Sequence, residues 1–213
     1  MFSSLLTIAV LAFVGVRLVT GLRTSRSAQG RHTVGLIVRG LRWRHVWPVP
    51  FLLTVVIAVA TLVMRIPGMS WGWWTLLGGS GNPVFGSSDA TVGTVWEWLI
   101  PLVFMCLLLP ALPLFALAEE RIFREGAETW STPKRALKVV QFGLVHALIG
   151  IPVGAALTLS LGGAWFMRVY LRQFRATESR REATLESARA HTAYNGIIVV
   201  LVLVGLLLDA LLA

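Results

Sequence analysis

The chain has 213 residues, 56% of them hydrophobic and 14% charged, with a mean hydropathy of +0.75. That balance excludes an ordinary soluble domain and implies several apolar helices that cross a bilayer. The formal charge of +9 lies in blocks between apolar segments, which excludes a nucleic-acid-binding stripe and points to anionic lipid headgroups as partners.

A membrane span takes roughly 20 mostly apolar residues at about 1.5 Å each. Six segments fit, near residues 2–20, 49–67, 96–118, 136–151, 153–171 and 192–212. They predict an all-α polytopic transmembrane helical bundle, one integrated membrane domain. Within it, residues 1–95 carry N-terminal spans and residues 96–213 the polar motifs.

The first segment is apolar from Phe2 with no positive residue before it, so it reads as a retained span rather than a cleaved signal peptide. Residues 33–46 interleave Val34, Leu36, Ile37, Leu41 and Trp43 with Arg39, Arg42 and Arg44. That pattern predicts an interfacial amphipathic helix, with His32 and His45 on its wet face. Residues 68–94, rich in Gly and Ser, read as an outer loop.

Pro101, Pro110 and Pro113 are expected to bend the third helix and free carbonyls on it. Cys106, the only cysteine, excludes an intramolecular disulfide and reads as a packed core thiol. Thr132 and Pro133 suit the N-cap and first position of the short fourth segment. Gly150-Ile151-Pro152 then turns it into the fifth. Gly150, Gly154 and Ala155 are small enough for close helix contacts. Asp209 reads as an interfacial acid. No repeat or low-complexity tract is present.

Eighteen of the 19 basic residues fall in three blocks, Arg17 to Arg44, Arg121 to Lys138 and Arg168 to Arg189, and only Arg65 lies near the other face. With six spans all three blocks share one side, which the positive-inside rule makes cytoplasmic, with both termini outside. Trp71, Trp73, Trp74, Trp96 and Trp98 flank the outer loop, and Trp43 and Trp47 the inner basic segment, as aromatic belts do.

Polar side chains within such a chain are functional candidates. Glu119 and Glu120 end the third span and point about 100° apart. Glu120 and Arg124, spaced i, i+4 with the acid first, form a favourable helical pair, which leaves Glu119 free to face the interior. His146 lies about 12 Å along its helix from Lys138, and Phe142, one turn earlier, shields its ring. His191 and Asn195 share one face of the last helix and can both donate hydrogen bonds to a developing negative charge. Interfacial snorkelling, helix–helix hydrogen bonding and capping are the bland alternatives for these groups. Glu119, His146, His191 and Asn195 all fall in the cytoplasmic half of the bilayer. A carboxylate and two imidazoles can activate water as general bases, and Glu119, His146 and His191 could also bind zinc. No serine or cysteine forms a nucleophile–base pair with them.

The order EExxxR, FxxxH, HxxxN on successive membrane helices resembles the CAAX-protease and bacteriocin-processing (CPBP, or Abi) family, which includes the type II CAAX prenyl endopeptidases. The motifs are Glu119, Glu120 and Arg124; Phe142 and His146; His191 and Asn195, and the likeness covers about residues 115–200. The resemblance implies that Glu119 and His146 activate water, that His191 and Asn195 stabilise an oxyanion, and that Glu120 and Arg124 give structural support. Both metal-dependent and metal-free accounts exist for that family. No family motif lies in the N-terminal half.

These readings lead to an intramembrane endopeptidase of the bacterial cytoplasmic membrane that hydrolyses a membrane-associated peptide or protein near the cytoplasmic face. It needs no cofactor in the preferred route and zinc in the alternative. A non-catalytic scaffold of the same fold, for bacteriocin immunity or a membrane complex, is the second reading. A proton or ion pathway is the third.

Overall fold

The structure is a computed structural model that describes residues 2–75 and 93–212, with side chains from 8 to 75 and 93 to 208. Its elements in chain order are α1 (Phe2–Arg26), α2 (Ala28–Val38), α3 (Trp43–Val46), α4 (Pro48–Val63), α5 (Trp96–Phe123), α6 (Thr132–Leu144), α7 (Val153–Thr158), α8 (Ser160–Thr177) and α9 (Arg180–Leu212). No strand occurs among the described residues. The all-α expectation is met, and α5 continues through Pro101, Pro110 and Pro113.

Four stretches are long and apolar enough to cross a membrane: Ile8–Arg26, Trp43–Val63, Trp96–Thr129 and Arg180–Leu208. The fourth and fifth segments expected from sequence are not among them. α6 is a 13-residue helix that runs into a 3-10 turn at Val145–Ile149, and the next segment breaks at Leu159 between α7 and α8. Gly150 adopts φ 94°, the left-handed conformation that glycine reaches without strain, and Pro152 precedes α7. The turn expected at Gly150 to Pro152 therefore forms. N-capping falls at Ser131, one residue before the expected Thr132, with Pro133 inside the first turn.

The tip of this α6–α7 turn is tied to the far end of α4. Val153 N–H donates to the Trp71 carbonyl at 2.8 Å and Gly154 N–H to the Met69 carbonyl at 2.7 Å. A Cβ on Gly154 would stand 2.7 Å from that carbonyl oxygen, so the close approach needs glycine. Gly143 does the same service where α6 meets the α7–α8 junction: a Cβ there would lie 2.5 Å from the Ala156 carbonyl oxygen of α7 and 2.8 Å from the Ser160 nitrogen of α8.

α9 packs on α5 and α8, α6 on α8, and α1 on α5. Val49, Leu53, Phe123, Phe142, Phe166, Ala190, Ala193 and Tyr194 form the main core between them. Burial of such side chains is worth roughly 1.5–3 kcal/mol each in a watery reference, and less against lipid. Two smaller buried clusters, around Leu117 and around Tyr170, adjoin it, while on α4 Phe51, Ile57 and Leu62 are all exposed.

Several local expectations need correction. Cys106 is exposed, not packed in the core, because it lies on the outward face of α5 with Leu107. The interfacial segment is two helices rather than one, since α2 stops at Val38 and the chain turns before α3. His32 is exposed, as expected, but His45 is 2% exposed. Its Nδ1 accepts from the Arg42 N–H at 2.9 Å, so Nε2 carries the proton donated to Glu186 Oε1 at 2.8 Å. Most of the expected outer loop, residues 76–92, and the side chain of Asp209 lie outside the described residues.

Candidate active site at the α5–α6–α9 junction

α5 ends at Phe123 and places Glu120 and Arg124 one turn apart, both wholly buried. Arg124 Nη1 donates to Glu120 Oε1 at 2.9 Å. Desolvating two charges costs about as much as their attraction returns, so such a pair persists only with further hydrogen bonds. Here they are present. Ser187 on α9 donates to Glu120 Oε2, and His191 Nδ1 meets Glu120 Oε1 at 2.8 Å.

Aromatic rings enclose the pair. The Arg124 guanidinium lies 4.0 Å from the Phe142 ring centroid, a desolvated cation–π contact worth about 2 kcal/mol. Phe166 stacks on His191 at 4.3 Å and 23°. Phe142 presents its ring edge-on to both imidazoles, at 5.2 Å from His146 and 5.4 Å from His191. Gly163 makes room, since a Cβ there would lie 2.8 Å from Phe142 and 3.3 Å from Arg124.

The carboxylate of Glu120 only accepts, so the proton of the His191–Glu120 bond resides on Nδ1. This leaves Nε2 of His191 as the nitrogen facing the remaining polar groups. Asn195 Nδ2 lies 3.1 Å from it, and Glu119 Oε2 3.8 Å. Glu119 keeps 32% of its side chain exposed, yet its Oε2 is buried with no hydrogen-bond partner. A buried carboxylate oxygen without a partner is costly in a finished structure.

His146 follows α6 in the 3-10 turn. Its Nδ1 donates to the Phe142 carbonyl at 2.8 Å, so in the neutral ring Nε2 carries the lone pair of a base. Among the described residues no hydrogen bond joins His146 to Glu119 or His191.

The structure thus gathers Glu119, Glu120, Arg124, Phe142, His191 and Asn195, and sets His146 against the same Phe142 ring. The fully buried carboxylate is Glu120, whereas Glu119 lies at the rim. Among the described residues no group of three or more His, Cys, Asp or Glu side chains is gathered closely enough to hold a metal, Glu119, His146 and His191 included. Sequence reasoning missed Ser187 and Phe166. Ser187 was findable: residues 187, 191 and 195 continue one i, i+4 stripe on α9. Phe166 carries no such signal. Comparison of the chain with protein-family models, with curated proteins and with solved structures finds no match.

Proposed function

We propose that the chain is an intramembrane endopeptidase of the CPBP type, which hydrolyses a peptide bond of a membrane-associated substrate by attack of activated water. The observation that carries this reading is the buried, unpartnered Glu119 Oε2 beside His191 Nε2 and the Asn195 amide. A carboxylate oxygen that makes no hydrogen bond beside an imidazole and an amide supplies a base next to two groups able to bind a developing charge.

In this reading Glu119 takes a proton from water as its oxygen attacks the scissile carbonyl, and the proton passes on to the departing amine. His146, with Nε2 free, assists as a second base. The Asn195 amide donates to the oxyanion. His191 joins it when Nε2 is protonated. Glu120, Arg124 and Ser187 hold His191 in place. No metal enters this route.

The topology proposed with it has six crossings, in which the α6 and α7–α8 pair forms the fourth and fifth. The hydrogen bonds from Val153 and Gly154 to Trp71 and Met69 support this, because they carry the α6–α7 tip to the depth of the outer end of α4. The three basic blocks then face the cytoplasm of a bacterial membrane, both termini lie outside, and the site sits in the cytoplasmic half.

The test is cleavage of membrane-tethered peptides by the purified protein and its Glu119→Gln variant, with and without chelator. Cleavage that is lost in the variant and kept with chelator is the expected result. Full cleavage by the variant refutes the mechanism. A binding scaffold is the second reading, favoured by the complete hydrogen bonding of Glu120. It predicts protection or complex formation that survives Glu119→Gln and His146→Ala.

A further inference from the structure

A second polar cleft lies between α3, the start of α4, α8 and α9, and the site above makes no use of it. It holds about 530 Å3, and Arg44, Trp47, Trp165, Arg168, Arg172 and Glu186 are among its lining residues. That volume is in the range of small-molecule sites. Trp165, Arg168, Val169 and Arg172 repeat at helical spacing, so α8 turns one stripe toward the cleft.

The charges there are unbalanced. Arg168 and Arg172 are exposed and form no ion pair among the described residues. Arg44 reaches Glu186 at 2.7 Å but keeps 55% of its side chain exposed. Glu186, the acid in the lining, is already engaged by His45 at 2.8 Å and Arg189 at 3.2 Å. It has little capacity left to hold the other guanidinium groups or a cation. The cleft therefore suits an anion that accepts from forked donors, and a phosphate matches that geometry.

Its walls argue for an amphiphile. Trp47 borders the cleft, and Phe51 follows one turn along α4; they are 58% and 74% exposed. From there the outward apolar face of α4 continues through Ile57 and Leu62. A headgroup in the cleft would have its acyl chains against that face, at the start of a helix apolar enough to span a membrane. A free phosphate ion would gain nothing from it.

We propose that this cleft is a specific site for the phosphate of an anionic phospholipid, held by Arg168 and Arg172 with Arg44 at its edge. The proposal rests on the membrane reading of the chain and is independent of the peptidase reading.

The test is a titration of the full chain, purified in neutral detergent, with phosphatidylglycerol, with phosphatidylcholine and with inorganic phosphate, bound lipid being counted by native mass spectrometry. Wild-type protein is expected to bind phosphatidylglycerol well ahead of the other two. Arg168→Gln/Arg172→Gln should weaken that binding about thirtyfold, at about 1 kcal/mol for each basic residue in contact with the phosphate. Arg23→Gln/Arg26→Gln, with the same loss of charge on exposed residues of α1, should change it less than threefold. Equal losses in the two double variants mean diffuse attraction and overturn the site, as does unchanged binding in the cleft variant. Inorganic phosphate that binds as tightly as the lipid overturns the lipid assignment. Should the double variant fail to fold, Arg172→Gln alone carries the same comparison, with about a fivefold loss expected.

Discussion

Glu120 and His191 stand 71 residues apart in sequence, yet Oε1 of one and Nδ1 of the other are 2.8 Å apart in a wholly buried contact. That bond fixes the proton on Nδ1, orients the ring so that Nε2 faces Asn195 and Glu119, and fastens α5 to α9. Structure and proposed chemistry thus meet in one hydrogen bond.

The two adjacent glutamates should separate cleanly by mutation. Glu120→Ala leaves Arg124 buried without its counter-charge and should cost about 3–5 kcal/mol of stability. Glu119→Gln should leave the unfolding midpoint in detergent close to wild type while abolishing peptide cleavage. Thermal unfolding and cleavage measured side by side check the pair; equal unfolding midpoints for the two variants contradict the burial difference.

Ser187→Ala removes the hydroxyl that donates to Glu120 Oε2. A hydrogen bond to a buried charged group is worth about 1.5–3 kcal/mol, so this variant should be destabilised by that amount. Because Ser187 touches no reacting atom, the cleavage rate per folded molecule should fall much less than in Glu119→Gln. Denaturant titration combined with an activity assay on the folded fraction distinguishes the two effects.

Gly143→Ala places a methyl group 2.5 Å from the Ala156 carbonyl oxygen and 2.3 Å from Ser160 Oγ. Backbone cannot yield as a flexible side chain does, so α6 must move off the α7–α8 junction at a cost of about 1–3 kcal/mol. Gly35→Ala, with nothing within 4 Å, should be neutral or slightly stabilising. A common response of both variants in thermal unfolding would contradict this account.

Cys106 faces outward from α5 among exposed leucines. In intact membranes it should resist a charged, membrane-impermeant maleimide and react with an apolar one. Rapid labelling by the charged reagent before solubilisation would place this face of α5 in water instead.

Composition and pattern determined the class of this protein. Apolar runs of span length have few structural alternatives in a bilayer, because unsatisfied backbone groups are too costly there; hence the all-α fold and the stretches long and apolar enough to cross a membrane, at α1, α3–α4, α5 and α9, were legible. Spacing within one helix was legible as well: Glu120 with Arg124 and His191 with Asn195 follow from the pitch alone. Tertiary structure decided what reaches across helices. It chose Glu120 rather than Glu119 as the buried carboxylate, because only contact with α9 says which of two neighbours faces inward. It buried His45 against Glu186 across 141 residues of chain. It cut the segment near 153–171 at Leu159 where Gly154 and Gly143 let backbones touch, a close approach that hydropathy does not record. Local sequence sets period and polarity; which faces meet is a property of the whole packing.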